Sequence, residues 1–387
     1  MLIPLTTIAA SVFAGLAVMG TALHAVALSR LRRHLGAGPK SAEPASEPIT
    51  HWRAVKRGIP DLAGKIEALV RAAQEGDQIL IGVDAGAPEA AICAEACERV
   101  PGVTVRRSPS EPEPSASSGR FVCIIECEPG RAMNPKISKF LQMAPHALHA
   151  RWLLTDSEAE LDADFIEAFR REWSAENWDA LTAGYRFTGL RRMPQILDVA
   201  PALFTLWPGL MHARQIDFTL GACTGVMAAH VRAIGGWEAF ATLLAEDREL
   251  GRQLAGRGHR VGLSRQVLSL SADPLGWWDW LKHQHRVAVT YRLAAPAGAL
   301  GLPIMHALPL ALLAGALGGG WWWALPGLVW LLRCAIASRM ARLLHYHIRG
   351  LAAVMAVVPI VETFAWATAW LPLPVWWAGS WRSFRYG

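Results

Sequence analysis

Three aspartates stand where apolar runs end. Asp84 closes Gln78-Ile79-Leu80-Ile81-Gly82-Val83, and Asp156 closes Arg151-Trp152-Leu153-Leu154-Thr155. Asp247 follows Glu246 at the start of a helical stretch running to Gly256. An aspartate at a strand end or in the first turn of a helix is often only a cap. In an open parallel sheet, however, ligands bind beyond the carboxyl ends of the strands, where Asp84 and Asp156 would stand. Two other groups could do chemistry. The pairs Cys93/Cys97 and Cys123/Cys127 have the residue type of a four-thiolate zinc site, but structural zinc favours tighter C-x2-C knuckles, so buried inert thiols are the simpler reading. His283 and His285 with His259 could make a metal site. The first two lie in a basic amphipathic stretch beside an apolar region, which favours interfacial or phosphate contacts.

The elements that must position these groups alternate. Helical spacing runs from Asp61 to Ala73, a strand over 78–84, a helix over Pro88–Arg99 and a short strand over Val103–Val105. Further strands are expected at Phe121–Ile125 and Arg151–Asp156, with helices at Lys136–Met143 and Asp164–Trp173. Strand and helix alternating at this spacing predict an α/β domain with a largely parallel sheet. Trp52 to Gly58 reads poorly as a strand. Gly36–Pro48 has linker composition, and Ser108–Gly119 is a polar, Pro/Ser-rich insert.

Several short motifs resemble the glycosyltransferase family 2 fold, and more narrowly the ceramide glucosyltransferases and the glycosyltransferases associated with hopanoid lipid synthesis. They are Asn134-Pro135-Lys136-Ile137-Ser138, Asp156-Ser157-Glu158, Gly221-Ala222-Cys223-Thr224-Gly225, Ile234-Gly235-Gly236-Trp237-Glu238, Glu246-Asp247 and the basic tail Trp381–Tyr386. The resemblance spans nearly the whole chain. It implies a GT-A (nucleotide-diphospho-sugar transferase) domain and inverting transfer of a sugar from a UDP-sugar to a lipid hydroxyl. It assigns Asp247 as the catalytic base, and Asp84, Lys136 and Asp156 to the donor. Asp156 and Glu158 stand at i and i+2, and their hard carboxylate oxygens suit Mg2+ or Mn2+. Such an ion would neutralise the charge of the departing nucleoside diphosphate. The register His283-Gln284-His285-Arg286-Val287 replaces a Gln/Arg-x-x-Arg-Trp pattern. It leaves His283 and Arg286 on the acceptor and phosphate side, with Val287 in place of the tryptophan.

The charge is segregated: residues 2–28 and 297–332 hold no Asp, Glu, Lys or Arg. A bilayer demands this, because a charge at its centre costs several kcal/mol. Leu2–Leu28 is too long for a signal-peptide core, and its basic flank Arg30–Arg33 follows the apolar stretch rather than preceding it. A retained transmembrane helix is therefore expected, with the following residues in the cytoplasm. Ala297–Leu317 and Trp321–Ala337 are expected as further spans. Leu351–Leu371, with Pro359 and Glu362, crosses or re-enters. Arg333 is expected to snorkel toward the basic segment Arg339–Arg349. The predicted division is a transmembrane helix over 1–29, a linker over 30–44, a GT-A domain over 45–295 and a transmembrane region with a basic tail over 296–387. The net charge of +6 clusters beside the apolar spans. That distribution suits anionic headgroups, and no aromatic-basic module suggests nucleic acid. The expected setting is a multi-pass protein of a bacterial inner membrane. Rival readings are a catalytically inactive scaffold of the same fold and a polysaccharide synthase.

Overall fold

A computed structural model describes residues 4–38, 47–107, 119–213, 215–377 and 379–383. The polar insert over 108–118, the linker core over 39–46 and the tail Phe384–Tyr386 lie outside the described residues. Two compact units emerge. One comprises residues 37–186 and 215–273; the other comprises 1–36, 187–214 and 274–387.

The first unit is built on a nine-stranded sheet. In chain order its strands are β1 (Thr50–Ala54), β2 (Gln78–Asp84), β3 (Val103–Arg106), β4 (Arg120–Cys127), β5 (Arg151–Asp156), β6 (Ala159–Glu160), β7 (Ala180–Thr188), β8 (Cys223–Met227) and β9 (Val261–Ser271). Their spatial order is β3-β4-β2-β1-β5-β8-β7-β9-β6. The five strands from β3 to β5 run parallel, as the alternation of elements predicts. The sheet then turns antiparallel: β8 opposes both β5 and β7, and β6 opposes β9. The fold is mixed α/β with a parallel-dominant half.

β1 is a full central strand although its sequence reads poorly as one. Its residues His51 and Arg53 are fully buried, which breaks an apolar pattern but not the strand. His51 Nε2 contacts Asp77 Oδ2 at 3.2 Å, and Asp77 also takes Arg170 at 2.6 Å. Arg53 donates to Ala159 O at 3.2 Å and to Thr155 Oγ1 at 3.4 Å. Partners supplied by distant segments offset part of the cost of burying these groups, while His51 Nδ1 and Arg53 Nε keep no hydrogen-bond partner among the described residues. On the other face, Trp52 packs against Trp152 at 4.7 Å and edge-on to Phe140 at 5.3 Å, with Trp237 closing the cluster.

Among the described residues, the second unit contains three helices long and apolar enough to cross a membrane: Leu5–Gly36, Gly320–Leu343 and Leu351–Ala369. The expected span over Ala297–Leu317 is built from two helices, Pro296–His306 and Leu308–Gly318, bent by 61°, a broken span or a re-entrant loop. The break falls at Ala307, whose φ of 51° a helix cannot accommodate. Leu351–Ala369 runs unbroken through Pro359. Gly20 lies so close to Ile304 that a Cβ there would sit 1.9 Å from its carbonyl oxygen, so only glycine permits this helix approach. Arg333 does not snorkel. It is 2% exposed and donates to Met305 O at 2.8 Å, with His24 Nδ1 at 3.1 Å. Partners inside the helix cluster hold it in place of a headgroup.

A carboxylate and lysine site at the strand ends

The donor-side residues of the sequence reading meet at the carboxyl ends of the parallel strands. Asp84 ends β2 and Asp156 ends β5, as their positions suggest. Lys136 arrives from the helix Pro135–Met143, which the motif Asn134-Pro135 initiates. Asn134 Oδ1 accepts from Lys136 N at 3.0 Å, and Pro135 occupies the first helical position, where its missing N–H costs nothing. The Asn134 amide also donates to Leu243 O at 3.0 Å and to Glu246 Oε2 at 2.9 Å. One capping residue thus ties the lysine helix to the Glu246-Asp247 segment.

Lys136 is the hub. Its Nζ donates to Asp156 Oδ1 at 2.7 Å and to Gly221 O at 3.0 Å, and lies 3.6 Å from Glu246 Oε1. Burial works against the charge on Lys136. The Asp156 and Glu246 carboxylates outweigh it and hold the ammonium above its ordinary range. Asp247 comes from the helix Glu246–Gly256. Its Oδ2 accepts from Gly221 N at 2.7 Å and its Oδ1 from Arg248 N at 2.8 Å. A Cβ on Gly221 would lie 3.2 Å from Asp247 Oδ2, 3.3 Å from Lys136 Nζ and 3.7 Å from Asp156 Oδ2. The bare backbone at Gly221 is what lets these three side chains approach one point.

Burial raises the Asp156 carboxyl above the usual range; Lys136 opposes the rise, while Glu158 and Asp247 add to it. Glu246 is pushed up to about 7 by burial, with Lys136 opposing and Asp247 reinforcing the rise. Glu158 goes the other way. Lys56 overcomes the effect of burial and draws its carboxyl down, helped by a 2.9 Å hydrogen bond from Ser157. Lys56 also contacts Asp273 at 2.9 Å and pairs directly with Glu158. Below Glu158 and Asp156, buried Arg53 is drawn down to about 10 by desolvation.

Other participants escaped the sequence reading. Asp84 Oδ1 is held by Lys139 Nζ at 2.6 Å, and Arg57 Nε lies 3.4 Å from its Oδ2. Lys139 stands three residues after Lys136, on the same helix face, and that spacing was a readable signal. Arg57 and Asp273 carried none, since only the folded chain brings them to β2 and to Lys56. His283 and Arg286 lie in the other unit, on the helix Trp277–Ala294. There His283 Nδ1 meets Asp198 Oδ1 at 2.5 Å. His259 lies beside His230 and Asp179, and His285 beside Thr368, so the imagined trio of His259, His283 and His285 is not a metal group among the described residues. All six cysteines are free, and burial pushes the thiols of Cys93, Cys97 and Cys127 up to about 12, as inert groups.

A GT-A-like α/β sheet with carboxylates and a lysine at its strand ends is an arrangement compatible with nucleotide-sugar transfer. The chain belongs to Glycosyl transferase family 21, which it matches over residues 120–387, and it is a glycosyltransferase. Among solved structures it is similar to the mannosyltransferase PcManGT from Pyrobaculum calidifontis, in complex with GDP-Man and Mn2+. That likeness has 13% identity and a TM-score of 0.50, and covers 93% of this chain and 99% of the other. It supports the fold. Glucosyl-3-phosphoglycerate synthase from M. tuberculosis aligns at 12% identity over 65% of this chain and 81% of its own, with a TM-score of 0.35. No curated protein matches the chain.

Proposed function

We propose that the chain transfers a hexose or N-acetylhexosamine from a UDP-sugar to a lipid hydroxyl, with inversion, at the cytoplasmic face of a bacterial inner membrane. A ceramide or a hopanoid-like polyol is the acceptor that the sequence resemblance favours. The observation that carries the reading is the meeting of Lys136, Asp156 and Asp247 around Gly221. In the proposed reaction Asp247 accepts the proton of the attacking hydroxyl as oxygen approaches the anomeric carbon. The N–H groups of Gly221 and Arg248 hold its carboxylate in one orientation. Asp84 serves the nucleobase side, and Lys136 presents its charge toward the phosphates. The assignment of His283 and Arg286 to the acceptor side rests on the resemblance alone.

Asp156 and Glu158 would hold Mg2+ or Mn2+, which when bound would neutralise charge on the departing nucleoside diphosphate. The residues fit a hard cation. Their donors are carboxylate oxygens, the ligand type of a hard cation, with Asp156 bonded to Lys136 and Glu158 to Lys56, contacts that a divalent ion would share or displace. The Mn2+ and GDP-Man in PcManGT support metal and nucleotide-sugar use. The proposed organisation is an anchoring helix over 1–29, a linker over 30–44, the GT-A domain over 45–295 and a membrane region over 296–387; the helix Leu5–Gly36 runs past the first of these boundaries, and residues 187–214 and 274–295 cluster with the apolar helices. The three apolar helices, with the bent pair, support a multi-pass arrangement.

The test is transfer by the purified full chain in lipid nanodiscs. Labelled UDP-glucose and UDP-N-acetylglucosamine are compared, with ceramide, a hopanoid polyol and diacylglycerol as acceptors. A labelled glycolipid with inverted anomeric configuration is expected, lost in EDTA and restored by manganese or magnesium. Release of free sugar with every lipid would overturn the acceptor, and full transfer in chelator would overturn the metal.

A further inference from the structure

Three segments far apart in sequence converge at the end of the sheet opposite Asp156. Asp179 immediately precedes β7, His230 lies on the helix Ala228–Ala233, and His259 lies in the turn before β9. The register of β5 with β8 sets the separation. Thr155 pairs with Cys223 at the Asp156 end, and Arg151 pairs with Met227 at the other, where Met227 N bonds Asp179 O. Four residues of strand put about 13 Å between the two levels.

We propose that Asp179, His230 and His259 form a second metal site, selective for zinc or a similar borderline divalent cation and separate from the catalytic carboxylates. The geometry carries it. One ligand atom from each residue falls within 4.8 Å of the other two, and the two imidazole rings lie 3.9 Å apart. His230 Nε2 sits 2.9 Å from Asp179 Oδ1. His259 Nδ1 points at Asp179 Oδ2 from 3.7 Å, too far for a hydrogen bond, and among the described residues its ring has no hydrogen bond. Two rings aimed at one carboxylate without both bonding it is an arrangement that a cation between them would complete. Two imidazole nitrogens and a carboxylate oxygen are a zinc donor set, with water as the fourth ligand.

Support from outside the donor set is already in place. Asp179 Oδ2 accepts from Arg260 N at 2.8 Å, the kind of outer hydrogen bond that orients a metal-binding carboxylate. Asp179 N in turn donates to Arg260 O at 3.0 Å. The three side chains are 24–31% exposed, so an ion reaches them from solvent. Bound there, it would pin the entry of β7, the end of β8 and the entry of β9 to one another. The site would be structural, a staple of the antiparallel half of the sheet, and it does not depend on what sugar or acceptor the enzyme uses.

The experiment uses the full chain in detergent, with any affinity tag removed and metals stripped by chelator. Zinc chloride is titrated by calorimetry, and the melting temperature is followed with and without zinc. One zinc per chain at the sheet end is expected, with a rise of several degrees in melting temperature. Asp156→Asn keeps that binding. His230→Ala/His259→Ala loses both the binding and the rise. His259→Ala alone removes a ring that makes no hydrogen bond among the described residues, so it folds even where the double variant does not, and it should weaken zinc at least tenfold. Absence of zinc binding in the wild type overturns the proposal. So does binding of unchanged affinity in His259→Ala, or binding lost only in Asp156→Asn.

Discussion

At the scale of single residues, Asp247 and Glu246 are adjacent carboxyls with different surroundings. Asp247 is held by two backbone N–H groups beside Gly221, an orientation suited to receiving a proton. Asp247→Asn preserves the shape and can keep one of those bonds. It should lower turnover by roughly 10²–10⁴-fold while donor binding survives. A side chain that served only to cap would cost about 1 kcal/mol of stability and leave turnover largely intact. Turnover and UDP affinity measured on the same folded preparation separate the two, and a near wild-type rate would move the base to Glu246 or Glu249. Glu246 tests the electrostatics. Its carboxyl titrates at about 7 in the fold against 4.5 ordinarily, so the folded state binds its proton more tightly than the unfolded chain. That contribution to stability is complete below about 4.5 and is lost as pH rises through 7. Glu246→Gln keeps an oxygen for Asn134 and has nothing to titrate. The melting temperature of the wild type should therefore fall relative to this variant between pH 5 and 8, and a flat difference would contradict the assigned environment.

At the scale of elements, the site depends on a short loop and a capped helix. The loop before β8 brings Gly221 between the lysine helix and the Asp247 helix, and its backbone both donates to Asp247 and accepts from Lys136. A methyl group at Gly221 would meet two charged groups closer than ordinary van der Waals contact. Gly221→Ala should leave the sheet folded but spread Asp247 and Lys136. A displacement of this kind costs roughly 10–10²-fold in rate. Steady-state kinetics should show the loss in kcat more than in KM for the donor, because Asp84, on the proposed nucleobase side, is untouched. Equal activity would show that the three side chains need not meet.

At the scale of the molecule, the proposed topology has the basic run Arg30–Arg33, in the last turns of the first apolar helix, orient the chain with that flank and the candidate catalytic residues in the cytoplasm. Glu128 lies in an exposed turn after β4, and the five native cysteines of the sheet unit are buried. Glu128→Cys in intact cells should therefore resist a membrane-impermeant maleimide and react after permeabilisation. Labelling from outside would reverse the topology.

The sequence alone determined whatever depends on neighbours along the chain. Apolar periodicity marked β2, β5 and the helices that alternate with them. Charge segregation marked the apolar spans. Asn134-Pro135 announced a helix start, and the short motifs around Asp156 and Asp247 announced sugar transfer. What only the tertiary structure decided depends on partners far along the chain. β1 was obscured because His51 and Arg53 are buried on ion-pair and hydrogen-bond partners contributed by Asp77, Thr155 and Ala159. Arg333 finds its acceptors inside a helix cluster, so the rule that a long cation reaches for the interface did not apply to it. Lys56 reaches Asp273, and His259 reaches Asp179, across separations that no local pattern encodes. Local propensity and hydropathy act over a few residues, whereas the burial of a charge is settled by whichever distant group arrives to satisfy it.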